Sequence, residues 1–209
     1  MGLFDLFRRR PRIGDVEATV AFVRSRASFL VQKCVWEYAR ARAGTNWEKL
    51  FHEAEFKAAI DLATWSNLPL ALAYLMEMIE GEARARVAGE RTRLTEGVVI
   101  VAEQAVAGFA PPDSAARAFA GEAAEIGPRL RRVALAAVKP VRDIPLASHG
   151  EFMGRLPIHA SLRALDAELV RNNLRLFLCG IHAEWVKAAD LDAVAAALVD
   201  LGRRETADR

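Results

Sequence analysis

The sequence predicts an all-α fold, a single-domain helical bundle of seven or eight helices. Apolar residues recur at steps of three and four along most of the 209-residue chain, and that spacing places them on one face of a helix. Residues that favour helix starts and ends separate these segments, and no β-branched or aromatic run is long enough to indicate a strand. Short connections favour antiparallel packing of successive helices.

The first predicted helix begins after Asp15, whose carboxylate can cap it, and ends at Gly44. One apolar stripe on this helix consists of Val16, Val20, Val23, Ala27, Leu30, Cys34 and Tyr38. A second stripe repeats every seven residues on a neighbouring face: Phe22, Phe29 and Trp36. Because a helix packed on one layer needs only one stripe, we expect a central helix or a subunit interface. The three aromatic residues are therefore candidates for binding a partner or ligand.

Seven further boundaries divide the rest of the chain into helices. Thr45-Asn46-Trp47-Glu48 has the pattern of a capping box and predicts a second helix that runs to about Ser66. Asn67 and Pro69 predict the start of a third helix, which stops near Gly89. A fourth ends at Pro111-Pro112, two shorter helices follow at about 114–126 and 128–138, and two more follow Pro157 and Asp190.

These boundaries divide the chain into a basic and apolar N-terminal peptide (1–13), a helical bundle domain (14–203) with a long loop at 139–157, and a C-terminal tail (204–209). Loops of more than about 12–15 residues in a compact domain are often functional. The loop supplies the next candidates for binding a partner or ligand: Arg142, Asp143, Ser148, His149 and Glu151. Ser, His and Asp together suggest nucleophilic catalysis, but a catalytic triad is defined by geometry, and the chain has no Gly-x-Ser-x-Gly motif. We assign no catalytic residue.

The N-terminal peptide combines apolar residues with a basic run. We name as membrane-surface candidates Leu3, Phe4, Leu6, Phe7, Arg8, Arg9, Arg10 and Arg12. Buried aromatic rings and cations near an anionic leaflet both favour surface binding, so one interpretation is that residues 1–12 contact an anionic membrane surface. The alternatives are a flexible tail and a segment folded onto the domain.

A carboxylate and histidine cluster is the only pattern that suggests a metal. Glu48, His52 and Glu55 share one face of the second predicted helix, and Glu77 and Glu80 lie on the third. Di-iron bundles use Glu-x-x-His, which this chain lacks. A solvated charged face is the simpler interpretation, and we expect neither a metal nor a cofactor.

Two polar or aromatic features lie within otherwise apolar helices. Asn172-Asn173 follows Leu169 in the long helix after Pro157, so at least one asparagine should approach the apolar face and fix register or partner choice through its hydrogen bonds. The four tryptophans, at positions 36, 47, 65 and 185, could line a pocket, although aromatic residues at helical spacing usually belong to a core.

Charge and composition argue against several classes of protein: nucleic-acid-binding, membrane-spanning and secreted. With 29 basic and 27 acidic side chains the formal net charge is +2, which argues against a nucleic-acid partner. No apolar run reaches the roughly 18 residues of a membrane span.

The start of the chain has no apolar core of a secretory signal, and Cys34 and Cys179 are expected to be small buried hydrophobic residues without a disulfide. We expect a bacterial, cytoplasmic protein, and one interpretation places it peripherally on the inner membrane.

Three classes of function remain open. The first is a non-enzymatic helical interaction protein, such as an adaptor, chaperone-like or scaffold protein. Such a protein would bind another protein or form a homodimer. The second is a helical pocket protein that binds an apolar ligand, cofactor or metal between helices. The third is an enzyme built on a helical bundle. Because no catalytic motif is present, we expect the first.

Overall fold

The computed structural model describes residues 12–207, leaving out the side chains of residues 160, 206 and 207. Within that range the predicted all-α class is confirmed, since the chain contains no strand and only an isolated bridge between Ile13 and Ala189. Seven of its α-helices have ten residues or more, in agreement with the predicted bundle. The α-helices are α1 (Val16–Val31), α2 (Tyr38–Ala43), α3 (Trp47–His52), α4 (Ala54–Arg84), α5 (Arg91–Ala107), α6 (Asp113–Ala124), α7 (Ile126–Leu135), α8 (His149–Gly154), α9 (Ala160–Ala188) and α10 (Leu191–Ala207).

Helix α4 is the centre of the fold. Every residue from Ser66 to Met76 is buried, and α1, α5, α6 and α7 all pack against it. A helix that is apolar on all faces must be buried on all faces. The run that begins at Leu68 (Leu-Pro-Leu-Ala-Leu-Ala-Tyr-Leu-Met) has that character.

The predicted boundary at Asn67 and Pro69 is wrong, because α4 continues through both residues. Asn67 is fully buried and donates from Nδ2 to the backbone oxygen of Phe152 at 3.3 Å, so it does not serve as a cap. A proline inside a helix costs about 3 kcal/mol. Burial of the apolar residues on both sides of Pro69 offsets that cost.

The first predicted helix is continuous to Ala43, but its middle is a π-helical segment, Gln32–Glu37, between α1 and α2. Asp15 caps α1 as predicted, accepting a hydrogen bond from the amide of Ala18 at 2.8 Å. Gly44 ends the helix with a positive φ of 57°. The predicted capping box is wrong: its capping residue, Thr45, lies inside a 3₁₀ turn, Gly44–Asn46, and the residue before α3 is Asn46, whose side chain makes no capping hydrogen bond.

Helices α5 and α10 approach each other at two glycines. A Cβ atom on Gly97 would lie 1.9 Å from the backbone oxygen of Leu198, and one on Gly202 would lie 2.0 Å from that of Arg93. Only glycine allows backbones to pack at this distance. The last helix is therefore fixed against the body of the bundle.

Two predicted segment boundaries also need correction. The segment 139–157, predicted as a long loop, contains a 3₁₀ helix, Val141–Ala147, and α8. The predicted tail at 204–209 begins inside α10, which continues through Ala207. Asp190 caps α10 as predicted, because its Oδ1 accepts a hydrogen bond from the amide of Ala193 at 3.2 Å.

Both cysteines are free, but only Cys34 is buried. Burial, together with nearby Glu37, raises the pKa of the Cys34 thiol to about 12. Cys179 is exposed, so its expected burial is wrong; it lies on the outer face of α9. None of the described helices is long and apolar enough to cross a membrane.

Candidate functional site: an aromatic pocket

An apolar pocket of about 300 Å³ lies between the first helix, α4 and the connection from α5 to α6. Three short stretches of sequence build it, and none of them lies near another in the chain. The lining residues are Ser28, Val31, Gln32, Trp36, Thr64, Trp65, Leu68 and Phe109. Helical spacing brings the first four to one face of the first helix and the next three to one face of α4.

The pocket has an apolar interior and a polar rim. Val31 and Leu68 are buried, the rings of Trp36, Trp65 and Phe109 are half-buried, and the rim residues Ser28 and Gln32 are exposed. The Gln32 carboxamide makes no hydrogen bond to any of the described residues. This layout, apolar walls with few polar groups at the mouth, is that of a small-molecule site.

The π-helical segment determines which way Trp36 faces. In an α-helix seven residues make nearly two turns, so Phe22, Phe29 and Trp36 would share a face. A π-helix has i→i+5 hydrogen bonds and more residues per turn, so seven residues fall short of two turns. Phe22 and Phe29 precede this segment and contact α9, whereas Trp36 lies within it and turns towards α4, where its indole N–H donates to Oγ1 of Thr64 at 3.0 Å.

Three aromatic rings that meet edge to face support the far wall. The ring centroids of Trp65 and Phe119 are 5.7 Å apart, those of Trp65 and Phe109 are 6.3 Å apart, and those of Phe109 and Phe119 are 6.4 Å apart. Edge-to-face pairs at these distances are favourable. The guanidinium of Arg24 lies 5.2 Å from the Phe109 ring and donates to the backbone oxygen of Gly108, which holds the α5–α6 connection against α1.

None of the eight described lining residues carries an ionisable side chain. A general acid, a general base and an activated nucleophile each need a titratable or deprotonated group. The arrangement is therefore suited to holding an apolar molecule, and the polar groups it offers are the side chains of Ser28, Gln32 and Thr64 and the indole N–H groups of Trp36 and Trp65.

The structure separates the three aromatic candidates of the first helix. Phe22 packs against Trp185, with ring centroids 5.0 Å apart, and Phe29 packs against Phe177 at 6.0 Å. Two members of the second stripe, Phe22 and Phe29, are thus used within the fold, where α1 packs against α9. Trp36 lies in the pocket, and its ring also contacts Phe51 of α3 at 5.6 Å.

The candidates from segment 139–157 do not form a nucleophile and base pair. Ser148 is buried and its Oγ lies 3.0 Å from Oη of Tyr74, whereas Nδ1 of His149 bonds to the backbone oxygen of Leu146 at 2.9 Å. Glu151 is exposed and pairs with Arg129 at 2.7 Å.

The two remaining loop candidates lie beside α9. Arg142 is exposed, and its backbone oxygen accepts a hydrogen bond from Nε of Arg175 at 2.9 Å. Asp143 lies 3.8 Å from the guanidinium groups of both Arg142 and Arg175. The segment therefore packs against α9 and is not part of the pocket.

Of the membrane-surface candidates, Leu3, Phe4, Leu6, Phe7, Arg8, Arg9 and Arg10 lie outside the described residues, and Arg12 is exposed. Two of the four carboxylates considered for a metal form ion pairs: Glu77 with Lys139 and Glu80 with Arg84. Across residues 12–207, no group of three or more His, Cys, Asp or Glu side chains could hold a metal ion.

Sequence reasoning named Trp36 and Trp65 as residues that could line a pocket, but missed the other six. The signal it lacked was the tertiary contact between residues 28–36, 64–68 and 109, which no local pattern encodes. Comparisons of the chain with protein-family models, with curated proteins and with solved structures found no match.

Proposed function

We propose that this protein is a non-enzymatic binding protein whose aromatic pocket holds a small apolar molecule. The observation that carries the proposal is the pocket itself: about 300 Å³ lined by Trp36, Trp65 and Phe109 over a floor of Val31 and Leu68. Pockets of roughly 300–1,000 Å³ with apolar walls are the usual sites of small ligands. The volume is at the lower end of that range, which favours a ligand of one or two rings.

The aromatic rings suit this ligand class for two reasons. They supply large apolar area with few rotatable bonds, and they stack or meet edge to face with ligand rings. Their positions are fixed before a ligand arrives, by the hydrogen bond from Trp36 to Thr64 and by the contacts of Phe109 with Phe119 and Arg24. A preformed site loses less free energy to ordering on binding.

The test is fluorescence titration with 6-propionyl-2-(dimethylamino)naphthalene, an apolar probe of two fused rings whose emission responds to its surroundings. Ser28→Phe places a ring at the exposed rim and should close the mouth without disturbing the core. We expect it to weaken probe binding about tenfold or more, which corresponds to about 1.4 kcal/mol. Ser25→Phe is the matched control, since Ser25 is an exposed serine on the same helix that does not line the pocket.

Equal binding by wild type and Ser28→Phe, with both folded by circular dichroism, would remove the pocket as the probe site. A saturable signal lost only in Ser28→Phe would support it. Mass spectrometry of the protein purified from its own host would then identify a co-purifying ligand.

A second candidate, the interaction protein expected from the sequence, is favoured by a different observation. Helix α9 exposes a row of leucines on the side away from the bundle, of which Leu165 is 75% exposed and Leu176 is 66% exposed. Contiguous exposed apolar surface on a folded chain often marks an interaction site.

We also propose a cytoplasmic location and a contact between residues 1–12 and an anionic membrane. Four arginines within five positions, 8 to 12, support the second, because each cation near an anionic leaflet contributes about 1 kcal/mol. Co-sedimentation with phosphatidylserine vesicles should be lost when residues 1–12 are deleted. Equal sedimentation of both proteins would exclude the peptide as the membrane contact.

A further inference from the structure

One face of α9 carries a pattern of mostly apolar residues that repeats every seven positions, and all of these residues are exposed. Counting in alternating steps of three and four from Leu162 reaches eight exposed positions, the last of which is Val186. We call these positions the α9 seam. Its apolar members are Leu162, Leu165, Leu169, Leu176, Ala183 and Val186, and the two remaining positions are Asn172 and Cys179.

The seam lies opposite the face by which α9 joins the bundle. That inner face consists of Val170, Leu174, Leu178, Ile181 and Trp185, all of them buried. One stripe is enough to pack a helix on a core, so the bundle does not account for a second one. Among the seam leucines, Leu165, Leu169 and Leu176 are at least half exposed.

The spacing identifies the kind of occupant. Positions separated by alternating steps of three and four are the a and d positions of a coiled coil, and here they continue over about three and a half heptads. Such a seam is complementary to another helix with the same repeat. A second copy of this chain carries that repeat by definition.

We propose that α9 pairs with α9 of a second copy, in parallel and in register. This inference rests on the second candidate function above and is independent of the aromatic pocket. In a parallel dimer each position faces the same position of the other helix, so Asn172 faces its own counterpart and the two carboxamides can hydrogen-bond. In a register shifted by one heptad Asn172 would face Leu165 or Cys179 instead, so the carboxamide pair favours the unshifted register.

The charged residues beside the seam favour the same direction. An antiparallel pair centred on the seam would place Arg175 against Arg175 of the second copy and Asn172 against a leucine. In the parallel pair Arg175 faces Gly180 and Glu168 faces Asn173, so neither contact opposes like charges. His182 comes near Lys187 of the second copy, but its Nε2 is already bonded to Glu82 at 2.8 Å.

The test is sedimentation equilibrium of the full chain over micromolar and higher concentrations. We expect wild type to approach twice the 23.0 kDa chain mass and the double variant L165K/L176K to remain a monomer. Both leucines are exposed, so the variant should keep its helical dichroism. The matched control is L135K, because Leu135 is 84% exposed at the end of α7 and away from the seam; it should associate like wild type.

Cys179 tests the parallel register. In that register the two Cys179 thiols face each other, and mild oxidation with copper phenanthroline should give a cross-linked dimer that is absent in C179S and in L165K/L176K. Cys34 is buried and does not interfere. A dimer without this cross-link would overturn the parallel register.

Two other results would overturn the proposal as a whole. Wild type that stays monomeric at all concentrations would reject pairing, and a dimer retained by L165K/L176K would place the interface elsewhere. A monomeric wild type whose sedimentation with anionic vesicles is lost in L165K/L176K would assign the seam to a lipid surface. Probe binding in the pocket is expected to be the same in all these variants, so the two proposals fail separately.

Discussion

Trp36 and Thr64 are joined by a hydrogen bond of 3.0 Å from the indole N–H to the hydroxyl oxygen. The hydroxyl in turn donates to the backbone oxygen of Ile60 at 2.8 Å. This chain of two bonds connects the π-helical segment to α4 and fixes one wall of the aromatic pocket.

Replacing Thr64 by valine should lower the free energy of unfolding by about 1 kcal/mol, because the indole N–H of Trp36 loses its acceptor inside the protein. The measurement is urea unfolding, with the change seen in the midpoint. Thr64→Ser keeps the hydroxyl and should cost less. A double-mutant cycle with Trp36→Phe isolates the pair, and a coupling of zero would mean that the bond contributes nothing to stability.

Gly97→Ala should lower the free energy of unfolding by about 3 kcal/mol, at the upper end of overpacking effects. The added Cβ would lie 1.9 Å from the backbone oxygen of Leu198, so α10 would have to move. Thermal unfolding followed by circular dichroism measures the effect.

Gly121→Ala is the control for this substitution. Gly121 lies in α6 with no neighbour within 4 Å of the position of a Cβ, so alanine there should raise stability by about 0.5–1 kcal/mol. Equal effects at both positions would contradict the close approach of α5 and α10.

Asp166 should make stability depend on pH in the acid range. It is buried at the start of α9 and accepts hydrogen bonds from Arg42 and from the hydroxyl of Tyr38. The bond from Arg42, followed by that from Tyr38, lowers the pKa of the Asp166 carboxyl. Because the folded pKa lies below the unfolded value of about 4, the stabilisation is present above pH 4 and is lost as pH falls through the folded pKa.

The measurement for this prediction is the difference in unfolding free energy between wild type and Asp166→Asn. The difference should be greatest near neutral pH and should shrink below about pH 4. Burial, then the bond to Asp166, raises the pKa of Tyr38 to about 12. The stabilisation that the Tyr38 hydroxyl contributes should therefore be lost as pH rises from about 10 to about 12. The variant Tyr38→Phe should not show this loss at alkaline pH. A pH-independent difference would contradict both assignments.

The two cysteines should differ strongly in reactivity towards a thiol reagent such as dithionitrobenzoate. Cys179 is exposed and should react at once, whereas Cys34 is buried with a pKa raised to about 12 and should react only on unfolding, because the thiolate is the reactive form. The assay uses L165K/L176K, so that association through α9 cannot protect Cys179. Rapid reaction of C179S in its native state would show that Cys34 is accessible.

Patterns within single helices predicted much of the fold. Asp15, Gly44 and Asp190 were identified as helix boundaries because capping is a local interaction between a residue and the next turn. The boundary at Pro69 failed because the cost of a proline is local, while the burial that offsets it comes from helices distant in sequence. The capping box at Thr45 failed because Thr45 lies within the 3₁₀ turn Gly44–Asn46, so that α3 begins only at Trp47.

The candidate site was predicted only in part. Trp36 was chosen as the third member of a heptad stripe, but the structure places it in the pocket because the π-helical segment turns it away from Phe22 and Phe29. No sequence period indicates a π-helix in advance, since its cost must be compensated by contacts elsewhere in the fold.

The sequence by itself determined that this chain is helical and where most of its helices begin and end, because side-chain spacing along a helix is fixed by backbone geometry and capping is local. Only the tertiary structure decided which apolar face of α9 is buried. Val170 and Leu174 fill the core, while Leu165 and Leu176 remain exposed. The pocket, too, was decided by the tertiary structure, because its walls come from three segments that are distant in sequence. Whether a residue is buried depends on what packs against it, and local sequence patterns do not indicate which distant residue that is.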